Sequence, residues 1–313
     1  MGFGWSSFGT PYRYSVHHLF QRSPHLRRAG AAAAVFAAMS LLAGCSASQA
    51  PVTDTASATP VVGSASAMGA AQFTQRLAAY ERKHNLHIRV DAIDTGNGRH
   101  LGWRGEETGP FTMTGLTAAV LVLERASDDE LAATVSTASP IAGAAQQQMP
   151  DPTLLDAISS ALQADDGPAQ QALINWLGGE SDFRAAATAL LRSSDGTMTA
   201  ESLASVMNAA VYGTATLAPD RRSTLRNLLL NNSAASATAS GTDAPWEVAT
   251  VRVREDAGTL IEVSTLEVPY REYDDAAPLV LAVVVNNADS PRTADNAARE
   301  VAQLVTRALP PSR

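Results

Sequence analysis

The chain has 313 residues, 45% hydrophobic and 17% charged, with 23 Lys+Arg against 31 Asp+Glu for a net charge of −8. That length allows one sizeable core with appended segments or two small domains, and the acidic balance excludes a general nucleic-acid binder, which needs a basic surface to neutralise phosphates. One cysteine excludes intrachain disulfides and cysteine-rich metal sites, and a single lysine, Lys83, excludes any mechanism that needs two.

Residues 1–44 hold Arg13, Arg22, Arg27 and Arg28 and no acid. Ala29 to Leu42 is then apolar apart from Gly30 and Ser40, too short to span a bilayer comfortably, and with its basic lead it predicts a secretory signal. The run closes as Leu42-Ala43-Gly44-Cys45, which resembles the bacterial lipobox. The resemblance implies a diacylglyceryl group on Cys45 and cleavage before it, leaving Cys45 as the mature N-terminus. The mature chain keeps 19 basic residues against 31 acidic, a net charge of −12. Residues 45–69 continue as Ser, Ala, Thr, Pro, Gly and Val with one charge, Asp54. Such a composition cannot bury enough apolar surface to offset its chain entropy, and it predicts a flexible tether. Acyl chains would supply the membrane attachment, at about 0.8 kcal/mol per buried methylene.

From residue 70 to the end the pattern is that of a globular domain. Phe73, Leu77 and Tyr80 recur at helical spacing over Ala71 to His84. His87 to Asp94 alternates, with Ile88, Val90 and Ala92 on one face, His87, Arg89 and Asp91 on the other, and Ile93 out of order. Thr95-Gly96-Asn97-Gly98 tolerates positive φ and predicts a hairpin into a second strand, Arg99 to Arg104. Thr114 to Arg125 is the most apolar helical stretch and suits a buried central helix. Five further helices are predicted at Pro152 to Leu162, Pro168 to Leu177, Asp182 to Arg192, Thr199 to Tyr212 and Pro219 to Leu230. Asn231 to Asp243 is expected to be a polar loop, followed by strands at Trp246 to Arg254, Thr259 to Val268 and Leu279 to Asn286 and a closing helix at Thr293 to Leu309. The order predicts an α+β fold: a five-stranded antiparallel sheet, its terminal helices on one side and an all-helical lobe on the other.

That order and several strings resemble the class A β-lactamases and their D,D-peptidase relatives, the penicillin-recognising serine hydrolases. The stretch LAAYERKHNLHIRVDAIDTGNGRHLGWRGEETGPFTMTGLTAAVLVL has their progression of helix, strand, Asp-Thr-Gly-x-Gly turn, strand and Phe-led approach to the central helix. ADDGPAQQALINWLGG has the spacing from their Ser-Asp-Asn motif to a Gly-Gly pair, and APLVLAVVVNNADSPRTADNAAREVAQLV resembles their last strand and helix. The resemblance implies the β-lactamase-like fold over residues 70–313 and, in an active member, acylation of a serine at the start of the central helix with a lysine one turn on.

The matching positions differ. The Ser-x-x-Lys element falls on Thr114-Gly115-Leu116-Thr117. Thr114 keeps a hydroxyl with an extra methyl crowding attack, and Thr117 can neither accept a proton near neutral pH nor supply a positive charge. Ser-Asp-Asn corresponds to Asp165-Asp166-Gly167, which keeps the middle aspartate, and Lys-Thr-Gly to Val251-Arg252-Val253, where Arg252 could meet a carboxylate only if it points into the cleft. The loop that carries the deacylating glutamate corresponds to Ser193 to Met198, a tight turn without a glutamate.

Other constellations point to structure. His84, His87 and His100 are the histidines of the mature chain; His84 and His87 straddle a helix end and a strand start, poor geometry for one metal, and surface positions are expected. Asp165-Asp166 before Gly167-Pro168 predicts a helix cap, while Asp128-Asp129-Glu130 and Asp274-Asp275 predict solvated loops. No cofactor or metal motif is present. The expectation is a non-catalytic, extracytoplasmic lipoprotein with vestigial positions Thr114, Thr117, Asp166 and Arg252, held to the membrane at Cys45 and meeting a peptidoglycan-related ligand or an envelope protein. A divergent serine- or threonine-type hydrolase acting on β-lactams or peptidoglycan peptides stands as one alternative, and a purely structural envelope lipoprotein as another.

Overall fold

A computed structural model describes residues 68–109, 113–136, 151–163, 166–193, 197–232, 236–242, 246–267 and 277–309. The signal, the lipobox, residues 45–67 of the tether, Asp165 and Asp274-Asp275 lie outside the described residues; at the tether's end Met68 is buried in the core, its N–H donating to the Arg307 carbonyl at 3.0 Å.

Alternation along the strands sorts the core into two layers. In β1 (His87–Asp94) the side chains of Ile88, Val90 and Ala92 join one apolar cluster and Ile93 joins the other. The same division runs through β3 (Glu247–Val253), β4 (Leu260–Glu267) and β5 (Leu279–Asn286), since Val248, Leu260, Leu266 and Leu281 face one way and Val251, Val253, Ile261 and Val284 the other. With β2 (Arg99–Trp103) these strands form a five-stranded sheet in the order β2-β1-β5-β4-β3, antiparallel throughout. The outermost strands are β2 and β3.

Two long helices cover the first face: α1 (Ala70–His84), through Phe73 and Leu77, and α9 (Pro291–Ala308), through Ala297, Val301 and Val305. The helical lobe covers the second. At its centre is α2 (Thr114–Arg125), every residue from Gly115 to Leu123 buried; each large side chain there contributes roughly 2 kcal/mol by leaving water. Around it stand α3 (Asp128–Ala132), α4 (Leu154–Gln163), α5 (Gly167–Trp176), α6 (Glu180–Leu191), α7 (Ala200–Val211) and α8 (Pro219–Leu230), with α7 lying on β1 and β5.

Four expectations change. Arg89 and Asp91 share the lobe face with Ile93, so β1 alternates strictly and its polar residues are covered rather than solvated, at 8% and 4% exposure. Asp128-Asp129-Glu130 form the first turn of α3 rather than a loop, because Ser127 and Glu130 close a reciprocal capping box. The segment after α8 is not a plain polar loop: Ser236 and Thr238 are buried and, with the Ala237 and Thr238 N–H groups, donate to the fully buried Glu262 carboxylate, ahead of a short 3-10 turn at Ala239–Gly241. His87 is half-buried rather than at the surface, its Nε2 2.9 Å from Glu107 and its Nδ1 2.7 Å from Arg104.

Candidate functional site

The start of α2 is closed by side chains and backbone from two directions. Thr114 is the first helical residue and half-buried; Thr117, one turn on, is fully buried and donates its hydroxyl to the Met113 carbonyl at 3.1 Å. On one side, Met198 sets its thioether sulfur 3.2 Å from the Met113 N–H, so the donor at the mouth of the helix is spent on a neutral, weak acceptor. On the other, α4 and α5 press against Gly115. A Cβ there would lie 2.5 Å from the Ala161 carbonyl oxygen and 3.5 Å from Gln170 Nε2. Whether the reacting position is set at Thr114 or at its neighbour Gly115, no amine stands within the first turn.

The other two positions singled out in the sequence have structural partners. Asp166 is the N-cap of α5, its Oδ1 accepting from the Ala169 N–H at 3.2 Å. Arg252 lies on the opposite face of the sheet, where it and Arg254 hold Asp295 of α9. The lobe-facing residue beside it is Val251, apolar and buried. The connection from α6 to α7 is eight residues, 192–199. Its described end bears Met198 and then Thr199, which caps α7 through a reciprocal bond with Ser202.

The polar residues that do converge lie at the other end of the sheet. Two cavities of about 670 and 520 Å³ flank the free side of β2, with His100 and Glu201 in the walls of both. The smaller one reaches Asp91, across from Gly102 on the neighbouring strand. Burial pushes the Asp91 carboxyl above the usual range; His100, whose Nδ1 stands 3.4 Å from Oδ2, opposes this, and the negative charge of Glu201 adds to it. The larger cavity opens along the α6–α7 connection, between the last turn of α6 and α7. Neither cavity is lined by Thr114, Thr117, Asp166 or Arg252. Sequence reasoning missed Asp91 and Glu201. For Asp91 the signal was available: Ile93 and Asp91 sit two apart on one face, so an apolar neighbour marked that face as covered.

No protein-family model matches the chain. The β-lactamase AST-1 of Nocardia asteroides is 26% identical over 314 aligned positions, spanning 90% of this chain and 96% of the relative. Among solved structures, a β-lactamase from Xanthomonas campestris pv. campestris superposes with a TM-score of 0.64 at 19% identity, over 76% of this chain and 97% of its own. An ancestral class A β-lactamase matches at 0.62 and 24% identity, over 76% and 100%. The chain has the class A β-lactamase fold.

Proposed function

We propose that the mature protein is a lipid-anchored, extracytoplasmic β-lactamase-like protein that performs no acyl transfer and acts by binding in the cell envelope. The observation that carries this is the first turn of α2. A hydroxyl becomes a nucleophile only with a base in reach, and beside Thr114 there is a threonine whose hydroxyl is already donated, a thioether, and a backbone carbonyl packed on Gly115. Losing the base from such a unit removes several orders of magnitude in rate. The Met113 N–H is turned to Met198 and is not offered to a developing oxyanion. Arg252, held by Asp295, brings no cation to the lobe side of β3.

The envelope part rests on Leu42-Ala43-Gly44-Cys45 behind a basic, then apolar, leader. Among the described residues no helix is long and apolar enough to cross a membrane. In this reading acyl chains on Cys45 hold the domain at the surface, and the partner is a peptidoglycan-related ligand or an envelope protein.

The test is covalent labelling of purified protein with a fluorescent penicillin, alongside hydrolysis of a chromogenic cephalosporin. Background labelling and no turnover are expected. Stoichiometric labelling abolished by Thr114→Ala overturns the proposal. Replacing Cys45 with alanine should move the protein from the membrane fraction to the soluble fraction; unchanged membrane retention refutes the anchor.

A further inference from the structure

We propose that the groove between β2 and α7 binds a primary alkylammonium group, with Asp91 and Glu201 taking the ammonium and the apolar wall of the larger cavity taking the carbon chain. The site is independent of acyl transfer and stands whether or not Thr114 is reactive.

The carboxylates are the starting point. Asp91 is 4% exposed, yet its Oδ2 accepts no hydrogen bond; His100 Nδ1, at 3.4 Å, lies beyond the 2.7–2.9 Å of a charge-assisted one. Glu201, in the first turn of α7, is in no ion pair among the described residues, and its charge acts on Asp91 as repulsion. The cation beside Asp91 is His100, in a loose ion pair, and the arginine bordering the smaller cavity is committed elsewhere. Arg104 bonds His87 Nδ1 at 2.7 Å and approaches Glu81 at 3.3 Å, and Glu107, which also borders the cavity, is taken up by His87 and Arg89. Arg192 borders the larger cavity without pairing to either carboxylate among the described residues. A buried carboxylate without a hydrogen-bond donor, beside a second negative charge, is a costly arrangement that an ammonium with several N–H donors relieves.

The shape selects the rest of the ligand. Beyond His100 and Glu201 the wall becomes Ile93, Leu190, Val206 and Ala209, which suits methylenes. Among the described residues no three His, Asp or Glu side chains, Asp91, His100 and Glu201 included, are grouped so as to hold one metal ion, and an ammonium on a carbon chain fits the groove instead. The groove is held open in a defined way, because the Glu201 N–H donates to the Gly105 carbonyl at 3.1 Å and ties α7 to the segment after β2.

Two sources carry this chemistry: a small free alkylamine, and the side-chain amine of a lysine-like residue in a peptide. The experiment is calorimetric titration of the full-length mature protein with hexylamine, hexan-1-ol and Nα-acetyl-lysine N-methylamide. Hexylamine should bind at least about tenfold more tightly than the isosteric alcohol, the difference made by charge-assisted hydrogen bonds. Glu201→Gln should weaken hexylamine about fivefold, and Glu201→Lys, which places an ammonium in the groove, should abolish it. Both substitutions fall on one half-buried residue at a helix start, so folding is retained. Binding of the lysine derivative assigns a peptide side chain; binding of hexylamine alone assigns a small amine. Equal affinity for amine and alcohol, no binding of either, or wild-type titration by both Glu201 variants overturns the proposal.

Discussion

Replacing Gly115 by alanine tests whether the space beside the start of α2 is filled. In an exposed helix interior the change would stabilise by about 1 kcal/mol, since glycine is the poorer helix former. Here the added methyl meets the Ala161 carbonyl oxygen at 2.5 Å. A comfortable contact needs that oxygen to retreat by about half an ångström or more, measured against the usual carbon–oxygen separation. Ala161 is backed by Leu162 and Leu173, both at 1% exposure or less, so α4 has nowhere to go. Overpacking of this kind costs about 1–3 kcal/mol, and a contact with backbone at 2.5 Å belongs at the upper end, about 2–3 kcal/mol. Net of the propensity gain, a loss of about 1–2 kcal/mol is expected, read as a lower urea midpoint at unchanged m and a fall of several degrees in Tm. Gly115→Ser should lose at least as much. A neutral or stabilising alanine would mean that α4 yields and the cleft beside α2 is open, and the argument from a closed site would fail.

Thr117→Lys, which places an amine on the first turn of α2, should destabilise by several kcal/mol in the same assay, because the residue is fully buried and an ammonium there would lose its hydration. Arg226→Ala should cost about 1–3 kcal/mol: its Nε and terminal nitrogen hold Glu267 at 2.9 and 2.6 Å, and the loss leaves a mostly buried carboxylate with only the Tyr212 hydroxyl. Glu267 also sets an acid limb. Burial alone would raise its carboxyl, but hydrogen bonds from Arg226 and Tyr212 outweigh it and hold the pKa below the ordinary 4.5. The stabilisation is therefore present above the unfolded value and lost as pH falls through the folded one, so Glu267→Gln should flatten the stability profile below about pH 4.5. Ser127→Ala should cost about 1 kcal/mol in urea unfolding by removing the cap of α3.

The order of elements was legible because each carries its own period. The 3.6-residue stripe of α1 and the two-residue alternation of β1 place both within a residue of where they lie. Direction was partly legible. Arg252 stands between Val251 and Val253, and apolar neighbours on the lobe side put it on the far face without reference to any other element. The capping box at Ser127 is a four-residue pattern, Ser127 to Glu130, that a run of acids obscured. What could not be read were partners distant in sequence. Ser236 and Thr238 resemble loop residues until Glu262 is brought beneath them. Met198 carries no local signal at all, because its role depends on meeting the Met113 N–H across 85 residues.

One short segment links the two ends of the molecule. Residues 192–199 join α6 to α7, and their described end does two things in succession. Met198 turns inward onto the mouth of α2, where a proton acceptor would have to stand, and Thr199 turns to the cavity shared with Glu201. A longer connection would have to fold over that same cavity, against α6 and α7. The one connection thus bears both on the mouth of α2 and on the groove along β2. Inserting a flexible Gly-Ser segment of about ten residues between Ser193 and Met198 separates these consequences. If both depend on the short connection, the insertion should weaken hexylamine binding and lower stability by releasing Met198 from α2. If only stability falls, the groove is built by α7 and β2 alone, and the coupling argued here is wrong.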